Sequence, residues 1–169
     1  AWLQRFDGSA KPESLLVDAQ QLTAVLPIPT SRSYVVRMVV GWDLFTFTPG
    51  TDSALKPLLV GPAVSSGADL SPDGKWFAYI GKESGRPEIY VRRLDDPGAA
   101  RTMVSIDGGE EPRWSHSGRE IFFRSSRAEM MVADVSAGAT FSAKPPRVLF
   151  RKPTAAIDNN HRAYDLSTD

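Results

Sequence analysis

The chain has 169 residues, with 20 Lys+Arg against 20 Asp+Glu, a formal net charge of zero and 41% hydrophobic residues. Neutrality excludes recognition of nucleic acid through an overall basic footprint, and the apolar content suffices for the core of one domain. The absence of cysteine excludes disulfides, thiolate zinc sites and cysteine nucleophiles together, and no apolar run approaches the ~20 residues of a membrane span.

The first residues, Ala1-Trp2-Leu3-Gln4-Arg5-Phe6, read as the middle of a strand and not as a signal peptide, so the numbered chain is expected to begin inside a domain. Trp2–Phe6 and Leu15–Val17 predict the last two strands of a first, incomplete unit within residues 1–18. A fuller unit is expected at about residues 21–60, with strands starting at Tyr34, at Asp43-Leu44-Phe45-Thr46-Phe47 and at Lys56-Pro57-Leu58-Leu59-Val60. Its segment Leu26-Pro27-Ile28-Pro29 has two prolines where a pairing strand belongs, which predicts an irregular unit because proline lacks a ladder donor. The next unit covers about 64–106, with strands after Pro72-Asp73-Gly74, at Glu88-Ile89-Tyr90-Val91-Arg92 and at Arg101–Ile106. A third covers about 111–151, with Glu129–Ala133 and Pro146–Phe150 as its later strands. Residues 162–169 read as the innermost strand of a further unit.

These units repeat. Leu70-Ser71-Pro72-Asp73-Gly74-Lys75-Trp76 aligns with Trp114-Ser115-His116-Ser117-Gly118-Arg119-Glu120 at a spacing of about 44 residues. A decayed copy, Pro29 to Val36, places Tyr34 at the position of Trp76. Four short strands per repeat is the period of a propeller blade. Near-continuous apolar runs such as Trp76–Ile80 suit blades covered on both faces. The fold class expected is therefore all-β, a single domain over 1–169 built as a stack of four-stranded antiparallel blades. It holds three full blades and parts of two more, which is a partial ring. Either sequence is missing, or two chains complete one ring, or the chain is a cut-down fragment; because an open stack exposes apolar end faces and unpaired strands, a homo-oligomer is expected. In that assembly the strand near Tyr164-Asp165-Leu166 pairs with Trp2-Leu3 and Leu15-Leu16-Val17, in the same chain or another.

Leu70–Trp76 followed by Glu83-Ser84-Gly85-Arg86-Pro87-Glu88-Ile89-Tyr90-Val91-Arg92 resembles the TolB-like, WD-repeat-like bacterial β-propeller. The later Gly108–Ser115 and Lys144–Phe150 are similar to the variety fused to bacterial serine/threonine kinases and transcriptional regulators. The resemblance implies a binding or scaffold role, for a protein partner or a small ligand, and a periplasmic or other extracytoplasmic location. The kinase glycine-rich loop and His-Arg-Asp motif are absent from this chain.

No residue pattern specifies a reaction. Gly-x-Ser-x-Gly and His-Glu-x-x-His are both missing, so the chain reads as non-catalytic, without cofactor or metal. Two enzyme readings stay open: the propeller portion of a prolyl-oligopeptidase-like serine peptidase, and a small hydrolase with carboxylates in the propeller channel. Asp69–Gly74 imitates a calcium loop, but its twelfth position is Ile80 and a strand follows, so it reads as a repeat turn. His116 lies in a turn and His161 in the polar loop after Asp158-Asn159-Asn160. Trp76 and Trp114 recur within strands and read as core between blades. Arg92-Arg93 and Arg151-Lys152 read as ordinary surface. The candidate ligand-binding residues are those expected at the channel mouth: Ser66 and Asp69 from one repeat, and Glu110, Glu111 and Arg113 from the next. The plain alternative for Glu110-Glu111 is a solvated loop.

Overall fold

The computed structural model describes residues 2–3, 13–14, 22–38, 41–62, 64–151 and 164–167. These residues form strands and turns, with no helix among them. In chain order the strands are β1 (Trp2–Leu3), β2 (Glu13–Ser14), β3 (Leu22–Pro27), β4 (Tyr34–Met38), β5 (Leu44–Phe47), β6 (Lys56–Leu59), β7 (Val64–Leu70) and β8 (Trp76–Gly81). They continue as β9 (Glu88–Arg93), β10 (Thr102–Met103), β11 (Glu110–Trp114), β12 (Glu120–Arg124), β13 (Glu129–Ala137), β14 (Phe141–Ala143) and β15 (Arg147–Arg151). Consecutive antiparallel pairing gives two four-stranded sheets, β3 to β6 and β7 to β10. In the third sheet, β15 takes the fourth place beside β13, and β14 pairs with the far end of β13. β1 and β2 form a two-stranded ribbon, and residues 164–167 are not in a strand.

The all-β stack of four-stranded antiparallel sheets is the architecture expected of propeller blades. Four details differ from the sequence reading. Residues 164–167, expected in the innermost strand of a further unit, form no strand; residues 4–6 and 15–17 of the first unit's expected strands lie outside the described residues. The fourth strand of the second sheet shrinks from Arg101–Ile106 to Thr102–Met103. The two prolines do not break the first sheet: Pro27 is the last paired residue of β3, opposite Tyr34, and β3 is an edge strand, where a missing N–H costs no ladder bond. The match of Tyr34 to Trp76 is one residue out. The backbone N–H of Ile28 bonds Ser33 O at 3.0 Å, as Ser71 bonds Trp76 O at 2.9 Å and Ser115 bonds Glu120 O at 2.9 Å. Ser33 is thus the equivalent of Trp76, and Tyr34 that of Phe77 and Ile121.

The repeated turns are held by serine. Ser71 is 1% exposed; its hydroxyl donates to Asp73 Oδ1 at 2.6 Å and accepts the Trp76 N–H at 3.0 Å. Ser115 accepts the Glu120 N–H at 3.1 Å in the same way, so losing the proline to His116 leaves the turn intact. Removing the Ser71 hydroxyl orphans a buried N–H. Ser71→Ala is expected to lower unfolding stability by about 1–3 kcal/mol, and Ser117→Ala, at an exposed position, by far less; urea titration of both variants checks this.

β8 is buried along its whole length and serves two cores. Trp76, Ala78 and Ile80 pack with Ile89, Val91, Trp114, Ile121 and Phe123 between the second and third sheets. Phe77 and Tyr79 pack with Ile28, Val35, Leu44 and Leu58 between the first and second. The period-two alternation of a strand, with both faces covered, produces this division. Trp76 and Trp114 are inter-sheet core, as the sequence indicated. Arg92 and Arg93 are not ordinary surface. Arg92 Nε donates to Tyr79 Oη at 3.1 Å, and the Arg93 guanidinium lies 5.3 Å from the Trp76 ring centroid. Burial pushes the Tyr79 hydroxyl up to about 12 from its ordinary 10.0. The folded state therefore holds that proton more tightly than the unfolded chain. The resulting stabilisation is complete below pH 10 and is lost as pH rises through 12. Melting midpoints should fall across that window in the parent and fall less steeply in Tyr79→Phe.

The β13–β14 hairpin is peculiar to the third sheet among the described residues. Phe141 at its turn side reaches between Trp76 (centroids 5.5 Å apart) and Trp114 (6.1 Å), clasping the second sheet to the third. Phe141→Ala is expected to cost about 2–3 kcal/mol, below the range for a fully buried phenylalanine because the ring is part-exposed. Thermal unfolding with Phe141→Leu as the mild control checks it.

Candidate functional site

β3, β7 and β11 are the first strands of their sheets and lie at one edge of each. The site expected at the channel mouth lies on β7 and β11, which run beside each other. The structure divides its five residues into two groups. Asp69 and Arg113 lie near the ends of β7 and β11 that lead into the serine turns. Asp69 Oδ2 accepts the Trp114 N–H at 2.8 Å, tying β7 to β11 with a side chain where no ladder exists. Asp69 Oδ1 is 3.9 Å from Arg113 Nη1, and Arg113 Nη2 also bonds Asp165 Oδ1. Ser66 lies in β7.

Glu110 and Glu111 open β11, at the end away from the serine turns. Glu111 is buried at 9% exposure, so the solvated-loop alternative does not hold for it. Its Oε1 lies 3.6 Å from Arg124 Nη1, the two side chains being 8% and 4% exposed. Its carbonyl accepts the Tyr164 hydroxyl at 2.6 Å. Nor do Glu110 and Glu111 alternate as in a regular strand: the register shifts between Glu110 and Arg113, and Glu111 has φ 54°. Glu110 Oε2 is buried without a hydrogen-bond partner among the described residues.

The second sheet has the same irregularity. Its register shifts between Val64 and Ala68, and the equivalent of Glu111 is Gly67, with φ 76°. A Cβ built on Gly67 would come within 2.9 Å of Ile80 Cδ1, and Ile80 is the equivalent of Arg124. One sheet thus has Gly67 against Ile80, and the other has Glu111 against Arg124. A glycine accepts this backbone freely, whereas a residue with a Cβ is strained there by about 1–2 kcal/mol. The first sheet carries a third solution, the second with an arginine: Arg37, equivalent to Ile80 and Arg124, is 7% exposed and donates to Thr23 Oγ1 at 2.7 Å.

The loop that delivers Glu110 and Glu111 is fixed from beneath by Glu88, 1% exposed. Glu88 Oε1 accepts Arg86 Nε at 2.7 Å and the Gly108 N–H at 3.0 Å, and its Oε2 accepts the Ser105 hydroxyl. Ser105 Oγ in turn accepts the Ile89 N–H at 2.7 Å. Arg86 also bonds Asp107 Oδ1 at 3.1 Å. A Cβ on Gly109 would stand 2.7 Å from Ile89 Cγ1 and from Ser105 Cβ, so the loop lies too close to β9 for any larger residue. Sequence reasoning placed Glu88 in a strand and missed this role, and it missed Arg124 because the repeat offers Ile80 there. The difference between the two copies was the available signal.

The remaining sequence candidates resolve as follows. Asp73 Oδ1 caps its own turn, accepting the Lys75 N–H at 3.1 Å, while Asp69 faces Trp114, so the two carboxylates of the calcium-like segment do not converge. His116 is an exposed turn residue. His161 and Lys152 lie outside the described residues, and Arg151 Nε pairs with Glu129 at 2.8 Å. A cleft of about 900 Å³ opens at the opposite end, between the Ser71–Asp73 turn, the Ser117–Glu120 turn and the β13–β14 hairpin; none of the predicted site residues lines it. No helix among the described residues is long and apolar enough to cross a membrane.

Comparison with family models and with curated proteins finds no match. Solved structures do match. TolB from Acinetobacter baumannii superimposes with a TM-score of 0.62 at 15% identity over 88% of this chain. The chain has the TolB-like β-propeller fold. It spans 48% of that TolB chain, about half of the known propeller's length. An oligogalacturonate lyase in complex with manganese matches with TM-score 0.61, 13% identity and 90% of this chain, or 42% of its own. A puromycin-hydrolyzing peptidase of Mycobacterium tuberculosis matches with TM-score 0.60, 21% identity and 83% of this chain, or 26% of its own. The same propeller architecture therefore serves TolB, a lyase and a peptidase, and the likeness fixes fold alone.

Proposed function

We propose that this propeller is a non-catalytic binding module that recognises a protein partner or small ligand at the end of the stack where β11 begins. The observation that carries the reading is the Glu111–Arg124 pair. The second sheet folds with Gly67 and Ile80 at the same two places, so blade architecture does not require charge or backbone strain there. Backbone strain of this kind clusters at functional sites, and here it sits beside a buried arginine. The Glu88 network supports it by making the Glu110-Glu111 loop rigid before any partner arrives, which reduces the ordering cost of binding. The likeness to TolB supports an extracytoplasmic location.

The test transplants the second sheet's solution into the third. Glu111→Gly with Arg124→Ile keeps a pairing this fold already uses, so the variant should fold. Partners captured on the parent protein, identified by mass spectrometry and titrated calorimetrically, should bind the double variant at least about tenfold more weakly, a loss of about 1.4 kcal/mol. Equal affinity for both proteins, or turnover by the parent in a broad hydrolase panel, overturns the reading. The likeness to the peptidase favours a second reading, in which the propeller belongs to a larger serine peptidase; a Gly-x-Ser-x-Gly elbow elsewhere in the same reading frame decides for it.

A further inference from the structure

The outer edges of the three sheets are not alike. β6 carries Pro57 opposite Phe45, and β10 is only two residues long. Both are blunted in the ways that discourage strand addition. β15 has five residues, no proline, and three consecutive exposed apolar side chains: Val148 at 40%, Leu149 at 46% and Phe150 at 50%. It pairs with β13 on one side, and among the described residues no strand pairs with its other edge. Arg147 and Arg151 close the two ends, with side chains 59% and 78% exposed.

Charge and shape choose the occupant. A second copy pairing antiparallel about Leu149 would set Arg147 opposite Arg151 of the other chain at both ends, and like charges directly opposite destabilise a sheet. The edge is also not straight. Met130 pairs with Phe150 and Met131 with Val148, leaving Leu149 as the extra residue of a bulge. A bulge bends and twists its strand, which hinders docking of another preformed edge but not of a flexible segment able to follow it. Arg147 has Glu120 and Asp134 at 3.9 Å, and Arg151 has Glu129 at 2.8 Å. All three acids lie within the sheet, and each guanidinium has five N–H donors, so donors remain for an incoming carboxylate.

We propose that the free edge of Arg147–Arg151 docks an extended peptide segment with an apolar centre and acidic flanks, added as a further strand beside β15. Main-chain bonds supply the affinity and the two arginines fix the register. This surface lies on the outer edge of the third sheet, on the strand farthest from β11, and the inference does not depend on the reading of Glu111 and Arg124.

The experiment uses the full 169-residue chain and a fluorescent peptide of about seven residues, valine and threonine alternating between terminal aspartates. Its twin carries terminal lysines instead. By fluorescence anisotropy the aspartate peptide should bind at least about tenfold more tightly than the lysine peptide. Leu149→Lys, which puts a charge on the free edge, should weaken it about tenfold, and Arg151→Gln should weaken it less. The comparison of the two peptides on the parent protein stands even if a variant fails to fold. The proposal is overturned by equal affinity for the two peptides, by no binding of either, or by a Leu149→Lys variant that folds and binds unchanged. It is also overturned if light scattering shows a dimer that Leu149→Lys dissolves, which would make the occupant a second copy. Binding confined to phosphatidylserine vesicles would make it a membrane surface and overturn it equally.

Discussion

Arg124→Ile alone is expected to lower the unfolding free energy by about 3–5 kcal/mol, because it leaves the Glu111 carboxylate buried without its guanidinium. Adding Glu111→Gly should restore most of that loss. The double variant removes the buried charge, relieves the φ of 54° at position 111 and recreates the packing of Gly67 against Ile80. Exchanging a buried ion pair for well-packed apolar groups is often neutral or stabilising by 1–4 kcal/mol. A four-point cycle of parent, two single variants and double variant in urea gives the coupling directly. Strictly additive single effects would show that the two side chains act independently and would remove the basis for reading them as a unit.

Glu88→Ala has the second large expected effect, about 2–4 kcal/mol, because it orphans two buried donors at about 1–3 kcal/mol each. Ser105 and the Gly108 N–H would lose their acceptor inside the fold, while Arg86, half-exposed, keeps Asp107. Glu88→Gln should recover part of this, since its carbonyl oxygen replaces one acceptor while its amide nitrogen faces either the Ser105 hydroxyl or the Gly108 N–H and Arg86. The distinguishing readout is local. Amide exchange of residues 105–111 should quicken in Glu88→Gln well before the β8 amides change, because the carboxylate fixes that loop while the core packs elsewhere. Uniform quickening across both regions would mean that Glu88 supports the sheets and not the loop.

The fold was legible because it is periodic. Ser71 and Ser115 mark equivalent turns, and the apolar runs after them can only be strands with two covered faces. What period alone does not carry is the departure from itself. The β13–β14 hairpin arises because β13 continues past Ala133 to Ala137, and nothing at the matching place in the second sheet announces it. The exact alignment of the first sheet was missed because Tyr34 looks like Trp76, whereas the turn's hydrogen bonds put Ser33 there. For the candidate site, Asp69, Glu110, Glu111 and Arg113 were visible as charges near the first strand of each blade. Their partners Arg124 and Asp165 were not, since contacts across 13 and 52 positions follow from the bulge and the packing of distant segments rather than from spacing. Their places at the first strands of two successive repeats suggested a single cluster; in the structure Asp69 and Arg113 form a strut between strands and Glu111 pairs with Arg124.

The division of β8 between two cores has a consequence for how such a chain can change length. One residue inserted directly after Trp76 would turn Phe77 and Tyr79 toward the third sheet and Ala78 and Ile80 toward the first, exchanging the contents of both interfaces in one step. Neither wall would then match its neighbour in volume. Insertions and deletions are therefore confined to the connections, where the third sheet's extra hairpin is found, and the strand between them is a segment whose residue count is fixed twice over, once from each side.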